Sequence, residues 1–386
     1  MKKNALMKSL ILLLAASFVL SGLFLSCAKQ EEEKKPEAAP AAAPAEEETA
    51  PAAGKKVLLK VPICFATSLP GLGSTIKWVA DRIELVSADT IAMKVYEPGK
   101  LVAPFEILDA VSEGKINTGY SVSGYWAGKI PASPIFTAIP FGPETGEFLA
   151  WLYYGNGMKL WQEMYDSNGY NVKVLLCGII APETSGWFTK PINSPDDIKG
   201  LRMRFFGLGG EAMSKLGASV SLIPGGEIFP ALEKKAIDAT EFSMPAIDTR
   251  LGFHKIAKYN YFPGWHQQAT TFELLINKDV WNGMTDHQKA VMEMMCKAAT
   301  ADAFAYTEAI QWQSMKDNAE KNGVTNMYWS DEMLDAFKKA WEEVAAEQSA
   351  KDPFFKKVWD DFSAFRKDYA LWQSYGFLPR PKPPKQ

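Results

Sequence analysis

The sequence predicts an α/β protein built as two lobes that face each other across a cleft. Three observations lead there. From Val57 onward, short apolar runs alternate with amphipathic ones, the pattern of strands joined by helices. That pattern runs through one α/β unit and into a second, then returns to the strand-like TTFELLINKDVW before the chain turns largely helical to about residue 370. The 330 residues from Val57 to Gln386 are rich in aromatics and exceed what one hydrophobic core usually holds.

In chain order, VLLKVPICF reads as a strand, and STIKWVADRIELVS as a helix with Ile76, Val79, Ile83 and Val86 on one face. IAMKVYEPG is a second strand ending in a turn. PFEILDAVSEGK is a helix whose Pro104 suits its first turn, and INTGYSVSG is a third short strand. This β-α-β-α-β order argues for a mainly parallel sheet. The second unit follows as VKVLLCGII, LRMRFF, GGEAMSKLG, ASVSLIP, IFPALEKKAI and DATEF.

The ends of the chain bear on where it works. Three lysines precede an apolar stretch that stops at Cys27, with Ser26 before it, which is of signal-peptide type. The Pro/Ala/Glu/Lys tract that follows has too little apolar content to bury a core. The expectation is a signal peptide over residues 1–26, lipid on Cys27 and a tether over 27–56, although Phe24 and Leu25 depart from the small residues usual before a lipidated cysteine. The expectation is a lipid-anchored protein of the periplasm or cell surface, with simple secretion as the alternative. Cys64, Cys177 and Cys296 match no metal spacing and, being odd in number, give no disulfide framework; they are expected to be buried. Residues 1–26 hold three lysines and no acids, so their removal takes the formal charge from −3 to −6. A nucleic-acid partner is not expected.

One motif suggests a nucleotide. RFFGLGGEA has the G-x-G-x-x-A spacing of a dinucleotide loop. Glu211 would then oppose pyrophosphate in the first turn of the helix, and the strand ASVSLIP ends without the acid that holds ribose. The glycines are expected instead to let the backbone turn tightly between strand and helix. Enzymatic signals are sparse. The three histidines, His254, His266 and His287, match no metal or triad spacing, and GYSVSG lacks the last glycine of the nucleophile elbow.

The run DDIKGLRMRFFGLGGEAMSKLGASVSLIPGGEIFPALEKKAIDATEF resembles the extracytoplasmic solute-binding proteins of tripartite ATP-independent periplasmic (TRAP) transporters. The branch it is most similar to binds 2-oxo and 2-hydroxy monocarboxylates such as pyruvate and lactate. SGYWAGK, EFLAWLYYGNG, YNYFPGWHQ and the tail KDPFFKKVWDDFSAFRKDYALWQSYGFLPRP carry the likeness across residues 57–382. The resemblance implies the two-lobed periplasmic solute-binding fold with a long C-terminal helix. Its lobes are expected at 57–181 with 270–315 and at 182–269 with 316–352, and a dimerisation helix and tail at 353–386.

The resemblance also implies a site. The family's carboxylate-binding arginine falls on Arg204, whose planar fork suits two carboxylate oxygens; Arg202 is then expected on the surface, pointing to the opposite face. Glu241 and Phe242 correspond to an acidic-aromatic pair that helps bind a cation bridging to the ligand, Phe242 through its backbone carbonyl where tryptophan is common. Glu183 stands where related sequences often carry a metal-binding glutamine. A second carboxylate favours a divalent ion, so Ca²⁺ is expected ahead of Na⁺. Tyr125, through its hydroxyl, and Phe272 are expected at the ligand; Trp126, Trp187 and Trp265 are candidates for the cleft wall or the core, and Glu273 is undecided. Closure of the lobes would present the complex to TRAP membrane subunits. The apolar face of Phe354, Phe355, Val358, Trp359, Phe362 and Phe365 points to a homodimer formed by tail exchange. The rival readings are a receptor for a different organic acid, an enzyme using Glu183 and Glu241 as acid and base, and a structural surface lipoprotein.

Overall fold

A computed structural model describes residues 55–380. The expected signal peptide, Cys27 and the tether, apart from Lys55 and Lys56, lie outside the described residues, as do residues 381–386. The chain begins with β1 (Val57–Pro62), α1 (Gly73–Val86), β2 (Ile91–Tyr96), α2 (Ile107–Ser112) and β3 (Thr118–Ser121). Next come α3 (Thr145–Tyr154), α4 (Gly157–Ser167) and β4 (Val172–Ile180). The second unit holds β5 (Gly186–Phe188), β6 (Arg202–Arg204), α5 (Gly207–Lys215), β7 (Ser219–Ser221), α6 (Gly225–Glu233), β8 (Ala239–Thr240), α7 (Pro245–Leu251) and β9 (Tyr259–Phe262). After these run β10 (Thr270–Asn277), α8 (Lys278–Gly283), α9 (Asp286–Asn322), β11 (Thr325–Tyr328), α10 (Asp331–Lys351) and α11 (Pro353–Gly376).

Two lobes result, each around its own sheet. In the first, β1 and β2 pair in parallel, a parallel bridge from Ile63 to Tyr120 joins them to β3, and β10 lies antiparallel between β3 and β4. In the second the order is β11-β9-β5-β8-β6-β7. The expectation of a mainly parallel first sheet therefore fails at β10. This strand enters after a visit to the other lobe, so no helical crossover fixes its direction. The periodicity of α1 holds for Ile76, Val79 and Ile83, which are fully buried, but Val86 ends the helix and is exposed.

The chain crosses between lobes at residues 181–185 and 263–269, and again along α9. That helix is capped at its start by a reciprocal Thr285–Gln288 box and stopped by Gly323 at φ +64°. Its 37 residues span about 55 Å, reaching from α1 and β4 of one lobe to α7 and β11 of the other without a break near residue 315. Helix α10 packs on α5, and α11 returns to lie on α3 and α4. Phe355, Val358 and Phe362 of α11 are buried there, Phe362 meeting Trp151 edge-on at 5.2 Å, and Phe354, Trp359 and Phe365 pack beside them. The apolar face attributed to dimer exchange is thus covered by its own chain. The apolar residues left exposed lie further along: Leu371, Trp372, Tyr375, Phe377 and Leu378.

Candidate functional site

Strands β6 and β8 are parallel neighbours, and the site sits at their carboxyl ends, where open α/β sheets place ligands. Arg204 is the last residue of β6 and is buried. Its Nη1 donates to the Glu241 carbonyl at 2.7 Å and to Glu241 Oε2 at 3.0 Å, while Nε donates to the Ile223 carbonyl at 3.3 Å. The Phe242 ring lies 5.2 Å from the guanidinium carbon. Glu241 Oε2 also accepts the Phe206 N–H at 3.0 Å. Arg202 opens the same strand and forms a two-pronged pair with Asp238 at the surface. The expectation of opposite faces is wrong, since residues two apart in a strand share a face. Position along the strand separates the two arginines.

A second carboxylate faces this pair. Glu183 comes from the first lobe crossing, and its Oε1 accepts the Thr270 hydroxyl at 3.0 Å. Its other oxygen has no partner, and neither has Glu241 Oε1 nor Gln267 Oε1, although all three are buried. His266 Nε2 lies 3.7 Å from Glu241 Oε1 and 3.9 Å from Glu183 Oε2, and both of its ring nitrogens are unpartnered. One ligand atom from each of Glu183, Glu241 and His266 lies within 4.8 Å of the others. Burial and the neighbouring Glu241 push the Glu183 carboxyl well above the usual glutamate range. Burial pushes Glu241 the same way, but Arg204, His266 and the Phe206 N–H outweigh it and hold this carboxyl below that range. One carboxylate is therefore compensated by protein charge and the other is not. Unsatisfied buried oxygens that converge in this way fit a hard, oxygen-seeking cation.

Glu183, Arg204 and Phe242 line a small cavity, with Gln267 and Thr270 beside them. Its remaining walls are largely apolar, with Phe65, Leu72, Val122, Tyr125, Ile180 and Phe272 from the first lobe and Phe206 from the second. Tyr125 packs edge-on against Phe206 at 5.5 Å, and among the described residues its hydroxyl makes no hydrogen bond. Phe272 stacks on Tyr120 at 5.8 Å. Among the described residues, no second basic side chain lines the cavity.

Five of the six residues expected at the ligand or cation, Tyr125, Glu183, Arg204, Phe242 and Phe272, line this cavity, and Glu241 does not but pairs with Arg204. Three candidate tryptophans prove to be core: Trp126 donates to Glu273 at 2.8 Å, Trp187 to Asp248 at 2.8 Å, and Trp265 stacks on Phe337 at 4.5 Å. Glu273 sits on the other face of β10 from Phe272, held by Trp126 and by the Tyr165 hydroxyl at 2.6 Å. Burial pushes it up to about 7. Glu211, expected in the first turn of its helix, lies beyond the first turn of α5 and accepts from Gln348 of α10 at 2.6 Å. All three cysteines of the described chain are free and buried. His266, Gln267 and Thr270 lie in no motif that marks a site. Their position just before a strand that re-enters the first lobe, or at its first residue for Thr270, was the available signal, because a segment joining two lobes must border the cleft.

Residues 69–352 match the family of bacterial extracellular solute-binding proteins, family 7 (DctP). The chain belongs to that family. Its members are solute-binding proteins of transport systems rather than enzymes. Among curated relatives, the monocarboxylate 2-oxoacid-binding periplasmic protein of Nostoc sp. is 33% identical, the match covering 77% of this chain and 84% of the relative. A TRAP solute-binding protein from Bordetella bronchiseptica RB50, crystallised as a dimer with copurified calcium and picolinate, is 30% identical with a TM-score of 0.80, over 83% of this chain and 94% of that one. Counterparts from Colwellia psychrerythraea, with calcium and pyruvate, and Pseudoalteromonas atlantica, with sodium and pyruvate, are 31% and 30% identical. Both have TM-scores of 0.79 over 83% of this chain and 97% of theirs.

Proposed function

We propose that this protein is the extracytoplasmic receptor of a TRAP transporter and captures a small 2-oxo or 2-hydroxy monocarboxylate of the pyruvate or lactate type. The observation that carries the reading is one guanidinium facing, in an otherwise largely apolar cavity, a cluster of buried carboxylate oxygens without partners. Arg204 grips the ligand carboxylate with donors that Glu241 leaves open. Glu183, Glu241 and the Phe242 carbonyl hold a cation, with Gln267 Oε1 as a further oxygen, and the bound cation supplies the positive charge that bridges protein and ligand. Ca²⁺ fits two carboxylates better than Na⁺ does, and relatives carry either ion. Tyr125 and Phe272 shape the rest of the pocket. The apolar walls offer no counter-charge to a second carboxylate, which favours a monocarboxylate.

In this reading residues 57–181 with 270–315 and residues 182–269 with 316–352 are two bodies that close on the ligand and present it to the membrane subunits. Lipid on Cys27 tethers the protein, and the exposed end of α11 pairs two copies; one relative is a dimer in its crystal. Calorimetric titration of ligand-stripped protein with pyruvate and lactate, each with Ca²⁺, Na⁺ or chelator, tests the site. Binding that vanishes with chelator is the expected result. Binding indifferent to cations removes Glu183 and Glu241 from their roles, and no binding of either acid sends the substrate assignment elsewhere.

A further inference from the structure

We propose that Arg366 of α11 is a positioning residue for the ligand site, acting through the turn at Ile139–Gly142 to hold the lobe-crossing segment Pro263–Gln267. Arg366 follows Phe362 by one helical turn and reaches back into the first lobe. Its Nη1 donates to the Phe141 carbonyl, its Nη2 to the Gly142 carbonyl at 3.1 Å, and its Nε lies 3.3 Å from Glu147 Oε1. Glu147 is a buried carboxylate. Burial pushes it above the ordinary range, and Arg366 acts against that shift.

The turn that Arg366 clamps has a shape that depends on being clamped. Phe141 adopts φ +51°, a left-handed conformation that non-glycine residues seldom take. Gly142 leaves no room for a side chain, since a Cβ there would lie 2.2 Å from the Ile139 carbonyl oxygen. In this shape the Phe141 N–H meets the Trp265 carbonyl at 2.6 Å, and the two rings lie 5.6 Å apart. Trp265 stands directly before His266 and Gln267. One residue earlier, Gly264 is pressed against Glu183, a Cβ there falling 2.2 Å from the Glu183 carbonyl oxygen, while the Glu183 N–H donates to the Gln267 carbonyl at 3.1 Å. The two lobe crossings are therefore zipped together where they carry the cation-facing oxygens. Arg366 braces that zip from outside the cavity. Without it, the left-handed turn relaxes, the bond from Phe141 to Trp265 lengthens, and Glu183 and Gln267 lose their fixed spacing.

The test uses the full chain carrying Arg366→Ala, Arg366→Lys or Glu147→Gln. The last removes the ion pair but keeps both carbonyl bonds. Amide hydrogen exchange on the ligand-free protein reads the brace directly, so this arm stands apart from the receptor reading on which the binding arm rests. Arg366→Ala is expected to speed exchange at Phe141 and across 264–267 by about tenfold, roughly the loss of one charge-assisted hydrogen bond, and to weaken cation-dependent pyruvate binding to a similar degree. Arg366→Lys should recover part of both, and Glu147→Gln should stay near wild type. Unchanged exchange at Phe141 in Arg366→Ala overturns the proposal, as does an equal loss in Glu147→Gln, which would reduce Arg366 to a neutralising role. Should wild type bind no pyruvate, the exchange arm decides alone.

Discussion

Arg204 does two jobs with one side chain. It neutralises Glu241 through Nη1 and, in the proposed site, keeps donors for the ligand, which a lysine, a point charge on a flexible stem, does not reproduce. Arg204→Lys is therefore expected to weaken carboxylate binding by about a hundredfold, near the 2–3 kcal/mol of a charged hydrogen-bonded pair, as read by calorimetry. In the proposed site Glu183 sets the charge that faces the cation. Glu183→Gln should shift preference from Ca²⁺ towards Na⁺, measured by titrating each ion in the presence of pyruvate. Away from the cavity, Glu273 offers a pH test. Its carboxyl is raised by burial to about 7, so between the unfolded value near 4.5 and about 7 the folded state holds the proton and the unfolded state has lost it. Stability must fall as pH rises through that window, by on the order of 3 kcal/mol from this group. Denaturant unfolding of Glu273→Gln beside wild type should show a difference that grows from pH 5 to pH 7 in favour of the variant. A constant difference would assign the carboxyl no titration there.

Among the elements, two glycines hold places that sequence periodicity cannot explain. A Cβ on Gly225, at the start of α6, would lie 2.6 Å from the Phe242 ring, and one on Gly124 would lie 2.3 Å from the Phe206 ring. Neither needs a left-handed backbone, so the demand is for space alone. Gly124 and Phe206 belong to different lobes, and this contact exists only with the lobes together. Gly124→Ala is expected to favour the open arrangement, enlarging the radius of gyration in small-angle scattering and lowering affinity, with the unfolding midpoint little changed. Helices and strands such as α1, β2 and β4 were legible because their apolar spacing is a local property. The direction of β10 was not, because it depends on where the chain has been before it pairs.

For the whole molecule, the C-terminal helix divides its apolar surface. Phe355, Val358 and Phe362 serve the fold, and the stretch from Leu371 to Leu378 stays open. If that stretch pairs two copies, sedimentation of the chain from Lys55 onward should give a dimer, and replacing Leu371, Trp372 and Tyr375 with serine should give a folded monomer. A monomeric wild type would mean that the exposed end serves another contact.

By itself, the sequence determined the α/β alternation, the return of the chain to its first lobe, and, through motif resemblance, the place of Arg204, Glu241 and Glu183. These follow from local spacing and from runs of residues short enough to read along the chain. Only the tertiary structure decided that His266 and Gln267 join them, that Trp126, Trp187 and Trp265 belong to the core, and that Glu273 faces away from the cavity. The physical reason is that a buried oxygen lacking a partner is defined by every group folded around it. Glu183 and Glu241 bring unpartnered oxygens together because two lobe crossings and the ends of two strands bury them in the same few ångströms.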